Sequence, residues 1–319
     1  MQADNGAQAD PFFPTVISNA SNLHSLSDVM VWANERISDF QRMLDETGAL
    51  LFRGFPIKTA QEFDRFVQAF GYEPFTYEES FSNAVRINLT PRVFTANEAP
   101  SSVEIFLHHE MAQTPVYPSK IFFCCLSAAE TGGATPLCRS DVLWDALKAK
   151  NPEWMSLFVD KGLRYRSHMP ANDDAQSGQG RSWKSTLSVG SVEEAEVSLR
   201  SLGYSWEWQT DQSLIAETPR LPAVKSLNDG SQSFFNQLIA AHRGWRKLGQ
   251  SKQPAVTLGD RTIIPDEVME QIIELSEDFV VAADWRDGDV ILLDNHRVMH
   301  GRYPYSGQRK RQVIVSLGK

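Results

Sequence analysis

Two periodicities alternate at the start of the chain. Apolar residues at Val29, Trp32, Ala33, Ile37, Phe40 and Leu44 fall on one face of a 3.6-residue repeat, which predicts a single helix from Val29 to Leu44. Gly48 stops it, and Ala49-Leu50-Leu51-Phe52-Arg53-Gly54 reads as a short buried strand. Thr59 is placed to cap a second helix, whose apolar face holds Phe63, Phe66, Val67 and Phe70. Beyond Phe75 the texture changes to short strands separated by Pro, Gly and Asn. They are predicted at Arg86 to Leu89, Ile105 to His109, Lys120 to Leu126, Gly162 to Arg166, Ser205 to Gln209, Phe279 to Ala283, Val290 to Asp294 and Arg311 to Leu317. Helices interrupt them near Asp141 to Ala149, Val192 to Ser201, Phe235 to Trp245 and Pro265 to Asp278. Many short strands with turn signals between them argue a sandwich, jelly roll or barrel. The stretch from Met169 to Lys184 is polar and rich in Gly, Ser and Asp, with no periodic face, and is expected to be a loop that lids one mouth of the barrel.

Composition narrows the partners. At 319 residues with 42% hydrophobic content, the chain can bury one large core. A net charge of −9 argues against a nucleic-acid groove, which needs clustered Lys and Arg. No apolar run approaches the roughly 18–20 residues of a membrane span. Residues 1–10 lack both the basic start and the apolar stretch of a signal peptide and read as a frayed tail, leaving 11–319 as a single domain. The three cysteines, Cys124, Cys125 and Cys138, are too few and wrongly spaced for a disulfide framework, so a reducing cytoplasm is expected. The sequence carries no signal for oligomeric state.

Two histidine clusters carry the candidate chemistry. In Leu107-His108-His109-Glu110, an extended backbone would turn His108 and Glu110 to one side and His109 to the other. Taken alone, His-x-Glu is commonplace. The second cluster, Gly288 to Arg302, runs from a Gly-Asp turn through an apolar strand to a polar corner that ends on His300. His300 would complete two histidines and one carboxylate, the facial triad of non-haem iron(II) oxygenases. Pairing of His296 with His300 in a helical zinc site is the competing arrangement, but no Glu follows His296 and Gly301 ends the segment.

With these clusters in view, the chain resembles the taurine dioxygenase and clavaminate synthase-like superfamily of Fe(II)- and 2-oxoglutarate-dependent oxygenases. The similar pieces are ALLFRGF at Ala49–Phe55, HHEMAQ at His108–Gln113, GGATPL at Gly132–Leu137, FFNQ at Phe234–Gln237 and GDVILLDNHRVMHGRYPYSG at Gly288–Gly307, in that order. The resemblance implies an α+β fold with a double-stranded β-helix core (a cupin-like jelly roll) and flanking helices. It implies Fe(II) held by His108, Glu110 and His300, with 2-oxoglutarate and dioxygen as co-substrates and release of succinate and CO2. A family arginine beyond the second histidine grips the distal carboxylate of 2-oxoglutarate, and that position falls on Arg311. Arg309 shares its strand face and is the alternative one register step away. The hydroxyl after the Gly-Gly pair, here Thr135, is implied on the same carboxylate. Asn236 and Gln237 are candidates for the substrate pocket, and Arg302 for substrate contact or support of the site. Glu110 replaces the aspartate of many relatives, which points to the clavaminate synthase-like branch. It also stands where halogenating relatives have a small residue. The implied activity is hydroxylation or desaturation of a small polar, amino-acid-derived metabolite, free or carrier-bound. Two other readings are a non-catalytic jelly-roll binding protein and a zinc hydrolase with the same three ligands; neither explains Arg311 together with Thr135.

Overall fold

The computed structural model describes residues 13–77, 81–82, 86–96, 99–173, 180–245 and 254–319. The tail predicted at 1–10 lies outside them, and Phe13, just beyond it, is already buried in the core. Among the described residues, no helix is long and apolar enough to cross a membrane.

Two antiparallel sheets face one another. The larger runs in the order Thr15–Ser18, Ala49–Arg53, Val290–Asp294, Lys120–Ser127, Gln312–Gly318 and Pro74–Phe75, with Val93–Thr95 also paired to Gln312–Gly318. Its one parallel pair is Thr15–Ser18 with Ala49–Arg53. The smaller sheet runs Val280–Ala283, Thr135–Arg139, Val298–Arg302 and Ile105–His108. From residue 105 onward the chain passes between the two sheets, except that Thr135–Arg139 and Val280–Ala283 pair within the smaller one, as in a jelly roll. Between Thr135–Arg139 and Val280–Ala283 the chain inserts most of its helices and a further four-stranded sheet of Ser205–Trp208, Leu214–Glu217, Leu163–Met169 and Val256–Leu258.

The larger sheet is buried on both faces, which explains why its strands read as continuous apolar runs rather than alternating ones. Its inner face contributes Leu51, Phe123, Ile291 and Val315 to the core between the sheets. Its outer face contributes Phe52, Phe122, Leu292 and Ile314 to a second core beneath the N-terminal helices. Those helices differ from the sequence expectation. The single helix predicted from Val29 to Leu44 is two, Leu26–Asn34 and Ile37–Thr47, broken at Arg36, whose φ of −117° and ψ of 7° leave the helical region. Ala33 and Phe40 stay in phase across the break, so periodicity alone could not reveal it. Gly48 ends the second helix at a φ of +82°, and a Cβ there would stand 2.6 Å from Val298 Cγ2. Thr59 caps Ala60–Gln68 as expected, its side chain accepting from Glu62 N–H.

Other boundaries moved for local reasons. The helix predicted from Phe235 begins at Leu238, because the Asn236 side chain accepts from Leu238 N–H and turns the chain first. The strand predicted at Arg86 to Leu89 is only a bridge from Asn88 to Phe94. The helix Pro152–Lys161 was not expected, although Asn151 caps it and Pro152 opens it. The loop expected over Met169 to Lys184 is shorter than that. Met169 closes a strand and Trp183 opens the helix Trp183–Leu187, with both side chains buried in one small core, while 174–179 lie outside the described residues.

Phe52 is fully buried, with the rings of Phe40, Phe66 and Phe70 at 5.2, 5.3 and 5.8 Å between centroids. Phe52→Ala is expected to lower unfolding stability by about 3–5 kcal/mol. A urea titration that moved the midpoint by less than a third of this would show that the N-terminal helices are not anchored there.

Candidate metal centre and co-substrate recess

The site is built on the smaller sheet. His300 lies in the middle of Val298–Arg302, and His108 is the last residue of Ile105–His108; antiparallel pairing sets the two directly opposite each other. Their rings lie 4.4 Å apart between centroids. Glu110 is not on that strand, contrary to the extended geometry expected for it. It stands in the turn beyond the strand end, followed by Met111 at a φ of +58°. From there its Oε2 comes within 3.8 Å of His108 Nε2 and 3.3 Å of His300 Nε2. Among the described residues this is the group of three whose donor atoms all lie within 4.8 Å of one another.

The protonation states suit metal ligation, which needs neutral imidazoles and an ionised carboxylate. His108 Nδ1 donates to the Phe106 carbonyl at 2.8 Å, which leaves the Nε2 lone pair for a ligand. Burial, aided by the charge of His108, pushes His300 down to about 4, although Glu110 pulls the other way. Burial alone would raise the Glu110 carboxyl. The neighbouring imidazoles of His108 and His300 and the charge of Arg86 outweigh it and hold the group well below the usual carboxylate range. Tyr77 Oη donates to the other oxygen, Oε1, at 3.3 Å. His300 Nδ1 is buried without a hydrogen-bond partner among the described residues. Two imidazoles and one carboxylate converging in a half-dry cleft fit a divalent iron with open positions.

The other two histidines of the clusters stand elsewhere. His109 is fully buried and points away from the site, with Nδ1 on the Asn295 carbonyl and Nε2 2.9 Å from Ser140 Oγ. Burial, the largest influence, keeps it well below the ordinary histidine range. His296 packs edge-on against Tyr117 and Phe235, away from the recess.

The triad lines a recess that also takes in Thr135, Arg311, Arg302 and Arg86. Arg311 donates to the Gly133 carbonyl at 3.2 and 3.0 Å and lies 5.3 Å from the Tyr305 ring centroid. No carboxylate among the described residues lies within ion-pair distance of it, and burial lowers its pKa, so its charge lacks a protein counter-ion. Gly133 lets it approach, since a Cβ there would stand 3.0 Å from Arg311 Nε. Thr135 Oγ1 accepts from Trp285 Nε1 at 3.0 Å, which leaves its own proton to donate. Arg309 is exposed at the surface, paired with Asp287. Arg302 lines the recess while donating to the carbonyls of Ala99, Pro100 and Val103.

Asn236 and Gln237, expected to face substrate, do not line the recess. Asn236 donates to the Ala223 carbonyl, and Gln237 donates to the carbonyl of His109 at 2.9 Å, so both secure backbone behind the site. Sequence reasoning missed Tyr77, Arg86, Phe123 and Trp285, which lie outside both histidine clusters and carry no motif of their own. Asn295 lies within the second cluster, but nothing in its sequence context marks a role for it.

A jelly roll with two imidazoles and a carboxylate on its inner wall defines the facial-triad class of metal oxygenases. Residues 13–316 match the taurine catabolism dioxygenase TauD, TfdA family, and the chain belongs to it. It is a 2-oxoglutarate-dependent non-haem iron dioxygenase that works with Fe(II), 2-oxoglutarate and dioxygen on a small-molecule substrate. It is 37% identical over 278 residues to a clavaminate synthase-like protein of Arabidopsis thaliana, across 87% of this chain and 83% of that one. It is 29% identical over 284 residues to the dapdiamide synthesis protein DdaC of Enterobacter agglomerans, across 86% and 83%. A crystal structure of a taurine dioxygenase from Burkholderia xenovorans shares the fold at a TM-score of 0.51 and 14% identity, covering 89% of this chain and 81% of that one. Membership of a dioxygenase family sets aside the zinc-hydrolase and non-catalytic readings.

His300 and His296 are both held near 4 rather than the ordinary 6.5, chiefly by burial. Unfolded chains therefore take up protons that the folded protein refuses as pH falls. Stability of the metal-free protein is expected to be complete above about pH 6.5 and to decline towards pH 4, by up to ~1.4 kcal/mol per pH unit for each histidine. Urea midpoints in chelator at pH 7.5 and pH 5 check this; equal midpoints would contradict it.

Proposed function

We propose that His108, Glu110 and His300 hold the iron, that Arg311 and Thr135 take the distal carboxylate of 2-oxoglutarate, and that the substrate is a small polar, amino-acid-derived metabolite. The observation that carries the reading is the placement of the three converging donors and the uncompensated Arg311 on one recess. When bound, the iron centre supplies the oxidation, consuming dioxygen and 2-oxoglutarate and releasing succinate and CO2. The chain's own groups position and shield. Planar Arg311 meets a carboxylate through two parallel N–H donors, and Thr135 adds a third from the facing sheet. Tyr77 steadies the Glu110 oxygen that faces away from the histidines. Phe123 and Val315 keep the inner wall apolar, which limits water beside the reacting atoms.

For the substrate, Arg86 and Arg302 line the same recess, where Glu110 is the one acidic residue among the described residues lining it. That balance favours a substrate bearing a carboxylate, as amino-acid-derived compounds do. The dapdiamide-synthesis and clavaminate synthase-like relatives agree with small-metabolite chemistry. Residues 11–319 would act as one domain, and three free cysteines suit a reducing compartment such as the cytoplasm.

Three outcomes are expected. Bound iron, measured after reconstitution, is expected to fall to background in His300→Ala. Succinate release in Arg311→Ala is expected to need at least ~30-fold more 2-oxoglutarate, about 2 kcal/mol for one lost partner of a desolvated charge pair. Arg309→Ala, which loses only an exposed pair, should change this little; the reverse order would overturn the co-substrate assignment. With a carboxylate at Glu110, where halogenating relatives have a small residue, the product should gain one oxygen or lose two hydrogens. Mass spectrometry of reactions run in high chloride decides this, and a chlorinated product would refute it.

A further inference from the structure

Glu110 is the one member of the triad that no strand holds. Its peptide lies past the end of Ile105–His108, so ladder hydrogen bonds do not fix it, and Met111 follows in a left-handed conformation that residues with a side chain adopt only at a cost. Such a turn persists only where its surroundings determine it. The determinant is a side chain from the far end of the sequence. Asn295, fully buried, accepts from Glu110 N–H through Oδ1 at 2.7 Å and donates to the Glu110 carbonyl through Nδ2 at 3.0 Å. The same Nδ2 donates to the Pro118 carbonyl at 2.7 Å, where the turn rejoins the larger sheet. Backbone of Asn295 is fixed in its turn: its N–H donates to Ser119 O at 2.9 Å, and its carbonyl takes the His109 ring. One carboxamide thus satisfies both polar groups of the Glu110 residue. Among side chains of this size only Asn offers one acceptor and two donors in that arrangement.

We infer that Asn295 is a positioning residue for the metal centre: by clamping the Glu110 residue it sets where the carboxylate meets His108 and His300. The inference rests on the reading of these three residues as metal ligands. Aspartate would keep the acceptor for Glu110 N–H but set an oxygen against the carbonyls of Glu110 and Pro118. Alanine would release all three bonds. Both changes leave every metal ligand in the chain, yet both free Glu110 to swing.

The test is Mn(II) binding to the full-length, metal-free protein, read as free Mn(II) by electron paramagnetic resonance. Asn295→Ala and Asn295→Asp are expected to weaken Mn(II) affinity by about 10- to 100-fold, the usual effect of removing a residue that orients a ligand. Ser140→Ala serves as the control. It removes a buried hydrogen bond to His109 in the same corner without touching the Glu110 residue, and should leave Mn(II) affinity unchanged. Circular dichroism establishes which variants fold, and the near-isosteric Asn295→Asp decides the question if Asn295→Ala does not. Glu110→Ala separates the two levels of the argument. If it binds Mn(II) like the unmodified chain, the ligand assignment itself fails. If it loses Mn(II) while folded Asn295 variants retain it, the clamp alone fails. Equal losses in Ser140→Ala and Asn295→Ala would also overturn the clamp, because general loosening of the corner would then account for both.

Discussion

The antiparallel pairing of Ile105–His108 with Val298–Arg302 is the constraint on which the centre depends. It brings together two histidines separated by most of the chain and sets them opposite each other on the inner wall. Strand side chains alternate between faces, so a slip of one residue would turn His300 outward and replace it with a neighbour. The register is held from both sides. Thr135–Arg139 pairs on the other edge of Val298–Arg302, and Met299 and Cys138 point away into the helical core. Gly301 permits the close approach at the bulge, where a Cβ would stand 2.4 Å from Ile105 O.

Around this pair, buried polar groups replace the strand ladder where the chain must turn. Both polar backbone groups of His109 and of Glu110 find partners: the Asn236 carbonyl, the Gln237 side chain and, twice, the Asn295 side chain. Arg297, next in the same corner, forms a buried 2.6 Å contact with Asp141 and one of the same length with half-exposed Asp229, tying the helix Ser140–Lys150 to the end of Val290–Asp294. Such groups would be costly to bury unpaired, so each bond also excludes arrangements that would break it. The second core, under the N-terminal helices, is by contrast almost wholly apolar.

The recess shows the same division in its charges. Arg302 is committed to three carbonyls of one loop and so fixes the rim beside His300. Arg311 donates from Nε and Nη2 to the Gly133 carbonyl, and no carboxylate among the described residues lies within ion-pair distance of it. Tyr305 lies between them, its ring 5.4 Å from the Arg302 guanidinium and 5.3 Å from that of Arg311. An aromatic face attracts both cations without neutralising either, so Arg311 is oriented while its capacity for an anion is kept.

By itself the sequence determined the parts whose signal is local. Apolar runs marked the central strands, Thr59 marked a helix start, and Gly48 marked a helix end. The residue types of the triad were legible because His108, Glu110 and His300 lie within motifs that keep their order along the chain. Arg311, eleven residues beyond His300, was legible as one of two choices, since Arg309 has the same strand parity. The tertiary structure decided between their positions: the chain reaches the sheet only at Gln312, leaving Arg309 in the exposed turn beside Asp287 while Arg311 enters the recess. It also removed Glu110 from the strand, because the ladder stops at His108, and it turned Asn236 and Gln237 from substrate towards backbone. Tyr77, Arg86 and the clamp at Asn295 act across separations that periodicity cannot register. A side chain's partner depends on which segments the folded sheets bring within hydrogen-bond reach, and that is a property of the packed chain rather than of any stretch of it.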